Sequence, residues 1–332
     1  MHIASLRAAS RRAFLFAARA GVLAVVIPAA TIGPALAQSP PVVRWVVPFA
    51  AGSYTDNVAR IIAPGIAERL GQTIVIDNRA GANGTIGADY VAKAAPDGQT
   101  VLVGGASVNV VNPNVYKSLP YDPVGDLLPA ARIGLLPFML IVNPGVPATT
   151  AAELVAYAKK NPGKLSYGTP NTATLVAMET FKRGAGVDIV SVPYKSSPQA
   201  VADLVGNHVQ VAIVDFAVAM PQVKAGRARV LTVTMLKRSS LLPDVPPLAD
   251  TLPNFDVSAW TGLFLPGKTP PALALKLYDA MRATLATPEV RDKLISIGFD
   301  VQPLGPDEFG AYVRNEIKMW NVLVKDAGIQ PE

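Results

Sequence analysis

The sequence VVRWVVPFAAGSYTD, residues 42–56, decides the fold class of this 332-residue chain. Val42 to Val47 is a β-rich run with the length of a single strand. A loop of small residues follows, and a helix is predicted to start near Asp56. One face of that helix is apolar, with Val58, Ile61, Ile62, Ile66 and Leu70. A strand, a loop and an amphipathic helix in this order open an α/β unit.

Strands and helices keep alternating beyond this opening, in two successive series. In the first series the patterns predict strands at 73–77, 100–103 and 139–142 and a helix at 85–94. A capping box at Thr150 and Glu153 starts the second series. That series has predicted helices at 150–160, 174–183 and 198–205 and strands at 164–167, 187–192, 209–214 and 230–234.

A proline-rich return and a helical tail complete the chain. One more strand is predicted at 260–265, followed by helices at 271–286, 288–297 and 306–327. The last helix has a buried stripe of Phe309, Tyr312, Val313, Ile317, Trp320 and Val324. Because a helical tail needs a sheet to pack on, we expect it to return to the first unit. The chain then forms two hinged α/β lobes of mainly parallel strands, with residues 38–143 and 251–332 in lobe 1 and residues 144–250 in lobe 2.

The N-terminal segment has the features of an export signal. Arg11 and Arg12 form a twin-arginine pattern, and an apolar run spans residues 20–30. Ala35 and Ala37 give a small-x-small cleavage site, so Gln38 is predicted to begin the mature protein. The chain has no cysteine that could carry a lipid. These features predict an exported, soluble protein of the periplasm.

Composition excludes several classes of function once this segment is removed. The chain has 30 basic and 24 acidic residues. Four arginines and no acid lie in residues 1–37, which leaves 26 basic residues against 24 acidic ones. This balance does not favour a nucleic-acid partner. The chain has no cysteine, so cysteine catalysis is excluded. His208 is the only histidine beyond the signal, so a Ser-His-Asp triad would have to use it and a zinc site of the Cys/His kind has at most one ligand. No cofactor or metal is predicted.

The loops at the predicted strand ends are rich in Gly, Ser, Thr and Asn and carry few charges. Such loops suit an anion held by backbone N–H groups and helix N-termini, although the same residues are ordinary caps and turns. Asp56 is expected to support the first loop or its helix. Asp215 is expected either to cap the next helix or to accept a hydrogen bond from the ligand. Lys195 is interpreted as a cleft-edge lysine and not as a Schiff-base residue.

Sharper catalytic and nucleotide motifs are absent. The glycines of residues 81–87 have the wrong spacing for a dinucleotide fingerprint, and no loop ends in the Gly-Lys-Ser/Thr of a phosphate-binding loop. The Gly-x-Ser-x-Gly elbow is missing around Ser107 and Ser166. These absences argue against an enzyme.

Six short motifs, in order along nearly the whole mature chain, resemble the Bug-type periplasmic solute receptors of tripartite tricarboxylate transporters. They are Pro48-Phe49-x-x-Gly52-x-x-x-Asp56, Asn78-Arg79-x-Gly81-Ala82-x-Gly84, Ala95-Pro96-Asp97-Gly98, Leu119-Pro120-Tyr121-Asp122-Pro123, Val192-Pro193-Tyr194-Lys195 and Leu242-Pro243-Asp244-Val245-Pro246. The resemblance implies a two-lobe, Venus-flytrap fold that binds a small carboxylated solute. It also implies that loop amides, hydroxyls and waters hold the ligand without an obligatory arginine.

The loops and the resemblance together predict one set of ligand-binding residues in the cleft. The set is Phe49, Ala51, Gly52, Ser53, Asp56, Ser107, Asn109, Thr169, Asn171, Thr172, Tyr194 and Asp215. Four positions depart from the usual family pattern. Ser53 and Ser196 replace common glycines, and Asn109 and Leu175 stand where histidine is frequent. These departures bear on which solute is bound.

The sequence therefore predicts a solute receptor. It is expected to be a monomer that captures a small organic anion and delivers it to the membrane subunits of a tripartite tricarboxylate-type transporter. Two alternatives remain open at this stage. One is a periplasmic sensor that reports its ligand to a sensor kinase, and the other is an exported enzyme that acts on a carboxylate.

Overall fold

A computed structural model of the chain describes residues 41–236, 238–239 and 242–332. The predicted export signal and its cleavage site lie outside these residues. None of the helices in the described ranges is long and apolar enough to cross a membrane.

Ten strands lie within the described residues. They are β1 (Val42–Val47), β2 (Thr73–Asn78), β3 (Thr100–Gly105), β4 (Leu127–Val142), β5 (Ser166–Thr169), β6 (Val190–Pro193), β7 (Val211–Asp215), β8 (Arg229–Val233), β9 (Ser258–Pro266) and β10 (Asp300–Leu304).

The helices of the described ranges alternate with these strands. They are α1 (Tyr54–Leu70), α2 (Thr85–Ala92), α3 (Asn112–Val115), α4 (Ala151–Lys160), α5 (Thr172–Ala185), α6 (Ser197–Val205), α7 (Phe216–Lys224), α8 (Pro271–Leu285), α9 (Pro288–Ser296) and α10 (Pro306–Asp326). Ser107–Val111 adds one π-helical turn ahead of α3.

Two sheets are joined through one long strand. The first sheet has the order β2-β1-β3-β9-β4, with β10 on β4 as well. The second has the order β6-β5-β7-β4, with β8 also on β4. Residues 127–137 of β4 pair with β9 in the first sheet, and residues 138–142 pair with β7 in the second. The chain therefore passes from one sheet to the other inside β4.

Most of β4 was not predicted from the sequence, which indicated a strand only at 139–142. Pro129, Gly134 and Pro137 interrupt the preceding residues and are typical of turns. In the structure the register of β4 against β9 shifts between Pro129 and Ala131 and again between Arg132 and Gly134. These bulges accommodate residues that a regular ladder would exclude.

The sequence predicted mainly parallel sheets. In the structure both sheets combine parallel and antiparallel strands. β1, β2 and β3 are parallel to one another, and so are β5, β6 and β7. Every pairing of β4 is antiparallel, and so is that of β9 with β3. Helix α7 and strand β10 were also not predicted. Pro221 lies inside α7, and β10 contains Pro303.

The C-terminal helix packs on the first sheet, as predicted. In α10 the residues Phe309, Val313, Trp320 and Val324 are buried, and the helix contacts β4 and the π-helical turn. The end of the chain is also held there, because Lys117 N–H donates to Glu332 O and Glu332 N–H donates to Val115 O. The tail therefore completes the first sheet's layer and does not form a separate domain.

Candidate functional site

A cavity with about 580 Å³ of empty space lies between the loops of the two sheets. Strands β4 and β9 contribute Leu136, Phe138, Ala259 and Trp260 to its lining. The loops contribute small and polar residues: Phe49, Ser53, Tyr54, Thr55, Gly105, Ala106 and Ser107 from the first sheet, and Pro170, Asn171, Ala173, Ser196, Ser197 and Asp215 from the second. A concave site with apolar walls and a few polar groups is typical of places where proteins bind small molecules.

Four helices begin at this cavity. Ser53, Asn171, Ser196 and Asp215 are the N-cap residues of α1, α5, α6 and α7, and all four line the cavity. Each cap accepts a hydrogen bond from the backbone N–H three residues on; the Asn171 Oδ1 to Thr174 N distance is 3.0 Å. The N-terminus of a helix carries unpaired N–H groups and a partial positive charge. The cavity is therefore bordered by several sites that favour negative charge.

The lining contains no lysine, arginine or histidine. Its one carboxyl group belongs to Asp215, which is 5% exposed. Burial raises the pKa of Asp215 to about 6, although hydrogen bonds from Val218 N–H and the Ser197 hydroxyl oppose the rise. Asp215 therefore caps α7, one of the two roles predicted for it, and also faces the cavity.

Two sets of hydrogen bonds join the loops of the two sheets beside the cavity. Ser107 Oγ donates to Asn171 Oδ1 at 3.2 Å and accepts from Ala173 N–H at 3.3 Å. Thr172 Oγ1 donates to Asn112 Oδ1 at 2.7 Å. These contacts hold the loops of α5 against the π-helical turn and α3.

Five predicted site residues, Phe49, Ser53, Ser107, Asn171 and Asp215, line this cavity. Tyr194 lies at a neighbouring cavity, which it lines together with Phe49, Pro170 and Lys195, and its hydroxyl donates to Asp203 Oδ2 at 2.7 Å. Phe49 and Pro170 line both cavities.

The other predicted residues lie outside the cavity and make contacts within the protein. Asp56 is buried and accepts hydrogen bonds from Gly52 N–H, Arg60 Nε and Asn78 Nδ2. Burial by itself would raise its pKa, but these bonds hold the pKa of Asp56 below its usual value. Asp56 therefore supports the first loop, as predicted for it. Ala51 and Gly52 are exposed residues of that loop.

Three further predicted residues are also engaged internally. Asn109 is fully buried and its Oδ1 accepts from Gly105 N–H at 3.1 Å. Thr169 Oγ1 donates to Asn171 O at 3.4 Å, and Thr172 makes the bond to Asn112 given above. None of the three lines the cavity.

Sequence reasoning identified Phe49 but missed the other three aromatic residues of the lining, Tyr54, Phe138 and Trp260. Tyr54 follows Ser53 directly and lies between two residues of the predicted set, Ser53 and Asp56. Phe138 belongs to the part of β4 that was not predicted, and Trp260 lies in β9, a predicted strand far along the chain. The signal that could have found Tyr54 is its position at the start of a predicted helix beside the loop.

The two joined sheets and the cavity between their loops define a class of protein: a two-lobe α/β protein that binds a small solute. The chain belongs to the family described as the tripartite tricarboxylate transporter family receptor, whose model matches residues 58–329. The resemblance read from the six sequence motifs is thereby confirmed.

Individual relatives support the same family. The chain is 31% identical to Protein BugT of Bordetella pertussis over 290 residues, which cover 86% of this chain and 89% of the relative. An R. palustris protein solved with adipate matches with a TM-score of 0.85 and 35% identity, over 87% of this chain and 98% of that one. MatC from Rhodopseudomonas palustris, solved with bound malate, matches with a TM-score of 0.81 and 32% identity, over 86% and 99%. The predicted two-lobe fold is confirmed by these structures.

Proposed function

We propose that this protein captures a small carboxylate in the cavity between its two sheets and delivers it to membrane subunits of a tripartite tricarboxylate-type transporter. It belongs to a family of solute receptors, and two of its structural neighbours were solved with the carboxylates adipate and malate. The two alternatives were a sensor and an enzyme. Membership of this family favours neither of them.

The convergence of four helix N-termini on one cavity carries the proposal. An anion at a helix N-terminus gains about 0.3–1 kcal/mol at an exposed site and more when partly buried. The hydroxyl of Ser53, whose oxygen accepts from Asp56 N–H, has its proton left to donate at the same space. A carboxylate can therefore be held here without an arginine.

Binding is proposed to close two lobes around the solute. We assign residues 38–143 and 251–332 to lobe 1 and residues 144–250 to lobe 2, and the last five residues of β4, 138–142, pair with β7 of the second sheet at this boundary. A ligand that contacts loops of both lobes binds the closed arrangement more tightly, and this difference in affinity shifts the population towards closure.

The location is proposed from the N-terminal segment and from the family. Residues 1–37 are removed as a twin-arginine signal, and the mature protein begins at Gln38 in the periplasm. It is proposed to act there as a monomer.

The proposal is tested by calorimetry with matched pairs of ligands. Adipate, malate and succinate are each compared with the corresponding uncharged diamide, which has the same shape. At least one acid should bind, and its diamide should bind at least tenfold more weakly because it has no charge for the helix N-termini. At 100 times its dissociation constant the acid should stabilise the fold by about 2.7 kcal/mol. Equal binding of acid and diamide would contradict recognition of the anion.

A further inference from the structure

Asp215 brings a carboxyl group into a cavity that is proposed to hold an anion. The residue ends β7, lines the cavity and is almost completely buried, and no cationic side chain shares the lining. A solute carboxylate that enters this space adds a second negative charge to it. When two carboxylates share a site away from water, the ionised form of one of them is strongly disfavoured. Binding and the protonation of Asp215 are therefore expected to be linked.

The helices packed against β7 supply no charge that would keep Asp215 ionised. These helices are α5, α6 and α7, and their charged residues are Glu179, Lys182, Arg183, Asp203 and Lys224. None of the five lines the cavity. Glu179 and Lys182 pair with each other at 2.8 Å, and Asp203 accepts from the Tyr194 hydroxyl. The one other titratable side chain of the lining is Tyr54, whose pKa burial raises well above the ordinary value, so it stays neutral.

The hydrogen bonds of Asp215 leave room for a proton on its carboxyl group. Oδ1 accepts from Val218 N–H at 3.2 Å, so the cap of α7 occupies this oxygen. Oδ2 is the oxygen that can carry a proton. A protonated carboxyl group becomes a hydrogen-bond donor, and a carboxylate is an acceptor with about four sites. Because burial has already raised the pKa of Asp215 to about 6, the neutral form is within reach near neutral pH.

We infer that a solute carboxylate binds together with one proton, which Asp215 takes from the solvent and donates to the carboxylate in a hydrogen bond. This inference rests on the proposed function and adds a linkage to pH. The bond replaces the repulsion between two anions with a short, charge-assisted contact. When the solute leaves, the proton returns to the solvent. A lower pH therefore favours capture, and a higher pH favours release.

Calorimetry of adipate, malate and succinate tests this inference between pH 6.5 and pH 8.0. Carboxylic acids in water are ionised throughout this range, so the solute brings no proton of its own. Titration in two buffers of different ionisation enthalpy gives the number of protons taken up. We expect about half a proton or more per bound acid at pH 7.0, because the free protein has lost most of this proton above its pKa of about 6. The affinity should fall about threefold to tenfold from pH 6.5 to pH 8.0.

Asp215→Asn should bind the same acid with an affinity that does not change with pH and with no uptake of a proton. Its amide can cap α7 through the oxygen and donate to the solute through the nitrogen. Asp188→Asn is the matched control, since Asp188 is an exposed acid of the same proposed lobe and lies outside the cavity. It should keep both the uptake and the pH dependence.

The results separate this inference from the proposed function. If an acid binds without proton uptake, or if its affinity stays constant or increases from pH 6.5 to pH 8.0, Asp215 is not a proton donor to the solute and the proposed function stands. Proton uptake that persists in Asp215→Asn also overturns the inference. The measurement on the unchanged protein decides even if the variant binds too weakly to be titrated. If none of the three acids binds to the unchanged protein, both proposals are overturned.

Discussion

The indole N–H of Trp260, at the cavity, donates a hydrogen bond to Glu316 Oε2 on the C-terminal helix at 3.1 Å. The same oxygen accepts from Trp320 Nε1 at 3.3 Å. Burial raises the pKa of Glu316, although the two indoles oppose the rise. The C-terminal tail is therefore linked to the lining of the cavity through one partly buried carboxyl group.

Glu316→Ala is predicted to weaken both the fold and the binding of solute. It leaves two buried indole N–H groups unpaired, at a cost of about 1–3 kcal/mol each, and frees the Trp260 ring. Glu316→Gln is the control, because its amide oxygen can still accept these bonds. Thermal unfolding and calorimetry measure the two effects. Unchanged stability and affinity in Glu316→Ala would mean that the tail does not support the cavity.

The pKa of Asp215 predicts how stability depends on pH. The folded pKa of about 6 lies above the ordinary value of 3.8, so the folded state binds more protons than the unfolded state between these values. Stability should therefore fall as pH rises from about 4 to about 6. Asp215→Asn should lose this part of the slope and be more stable than the unchanged protein above pH 6, because asparagine is also a good N-cap. Urea unfolding at several pH values checks this.

Asp56 provides the opposite case. The pKa of Asp56 in the folded state is held below the ordinary value. Its contribution to the free energy of unfolding is therefore present above the pKa of the unfolded state, and it is lost as the pH falls through the pKa of the folded state. Asp56→Asn should therefore be destabilised at pH 7. The same sign for Asp56→Asn and Asp215→Asn at pH 7 would contradict these assignments.

Thr172→Val is predicted to favour opening of the cleft. It removes the 2.7 Å bond to Asn112 that joins the loops of the two sheets, without changing a residue that lines the cavity. Loss of one such bond should lower the affinity about threefold to tenfold. It should also increase the radius of gyration of the ligand-free protein in X-ray scattering.

Thr180→Val is the matched control on the same helix, α5. The hydroxyl of Thr180 is buried without a partner among the described residues, so its removal should leave affinity and dimensions unchanged. If the two variants behave alike, the Thr172 bond does not hold the loops together.

Gly134→Ala is predicted to disrupt the junction of β4 with β10. A Cβ atom at Gly134 would overlap Asp300 O, which is backbone and cannot move aside easily. We expect a loss of about 3 kcal/mol in the free energy of unfolding. Gly310→Ala, inside α10, is the control. There the nearest atom to a new Cβ is Arg314 Nη1 at 3.4 Å, the end of a flexible side chain. Denaturant unfolding should show a large loss for the first variant and none for the second.

The sequence by itself determined the α/β class, most helices and the family. These properties depend on residues that are close together in the chain. The alternation of β1 with α1, the capping box at Thr150 and the apolar stripe along α10 are examples. The N-cap residues Ser53, Asn171 and Asp215 were likewise predicted as site residues from their loops.

Only the tertiary structure decided which of those residues face the solute cavity. Asp56 and Thr172 have the same polar character as Ser53 and Asn171, but their partners Arg60, Asn78 and Asn112 draw them away from the cavity. Tyr54, Phe138 and Trp260 meet there from three distant parts of the chain. The continuity of β4 across both sheets also depends on pairing with β7, β9 and β10, which overrides the turn signals of its prolines. Contacts between distant residues leave no periodic pattern in a single sequence, which is why only part of the cavity lining could be predicted from it.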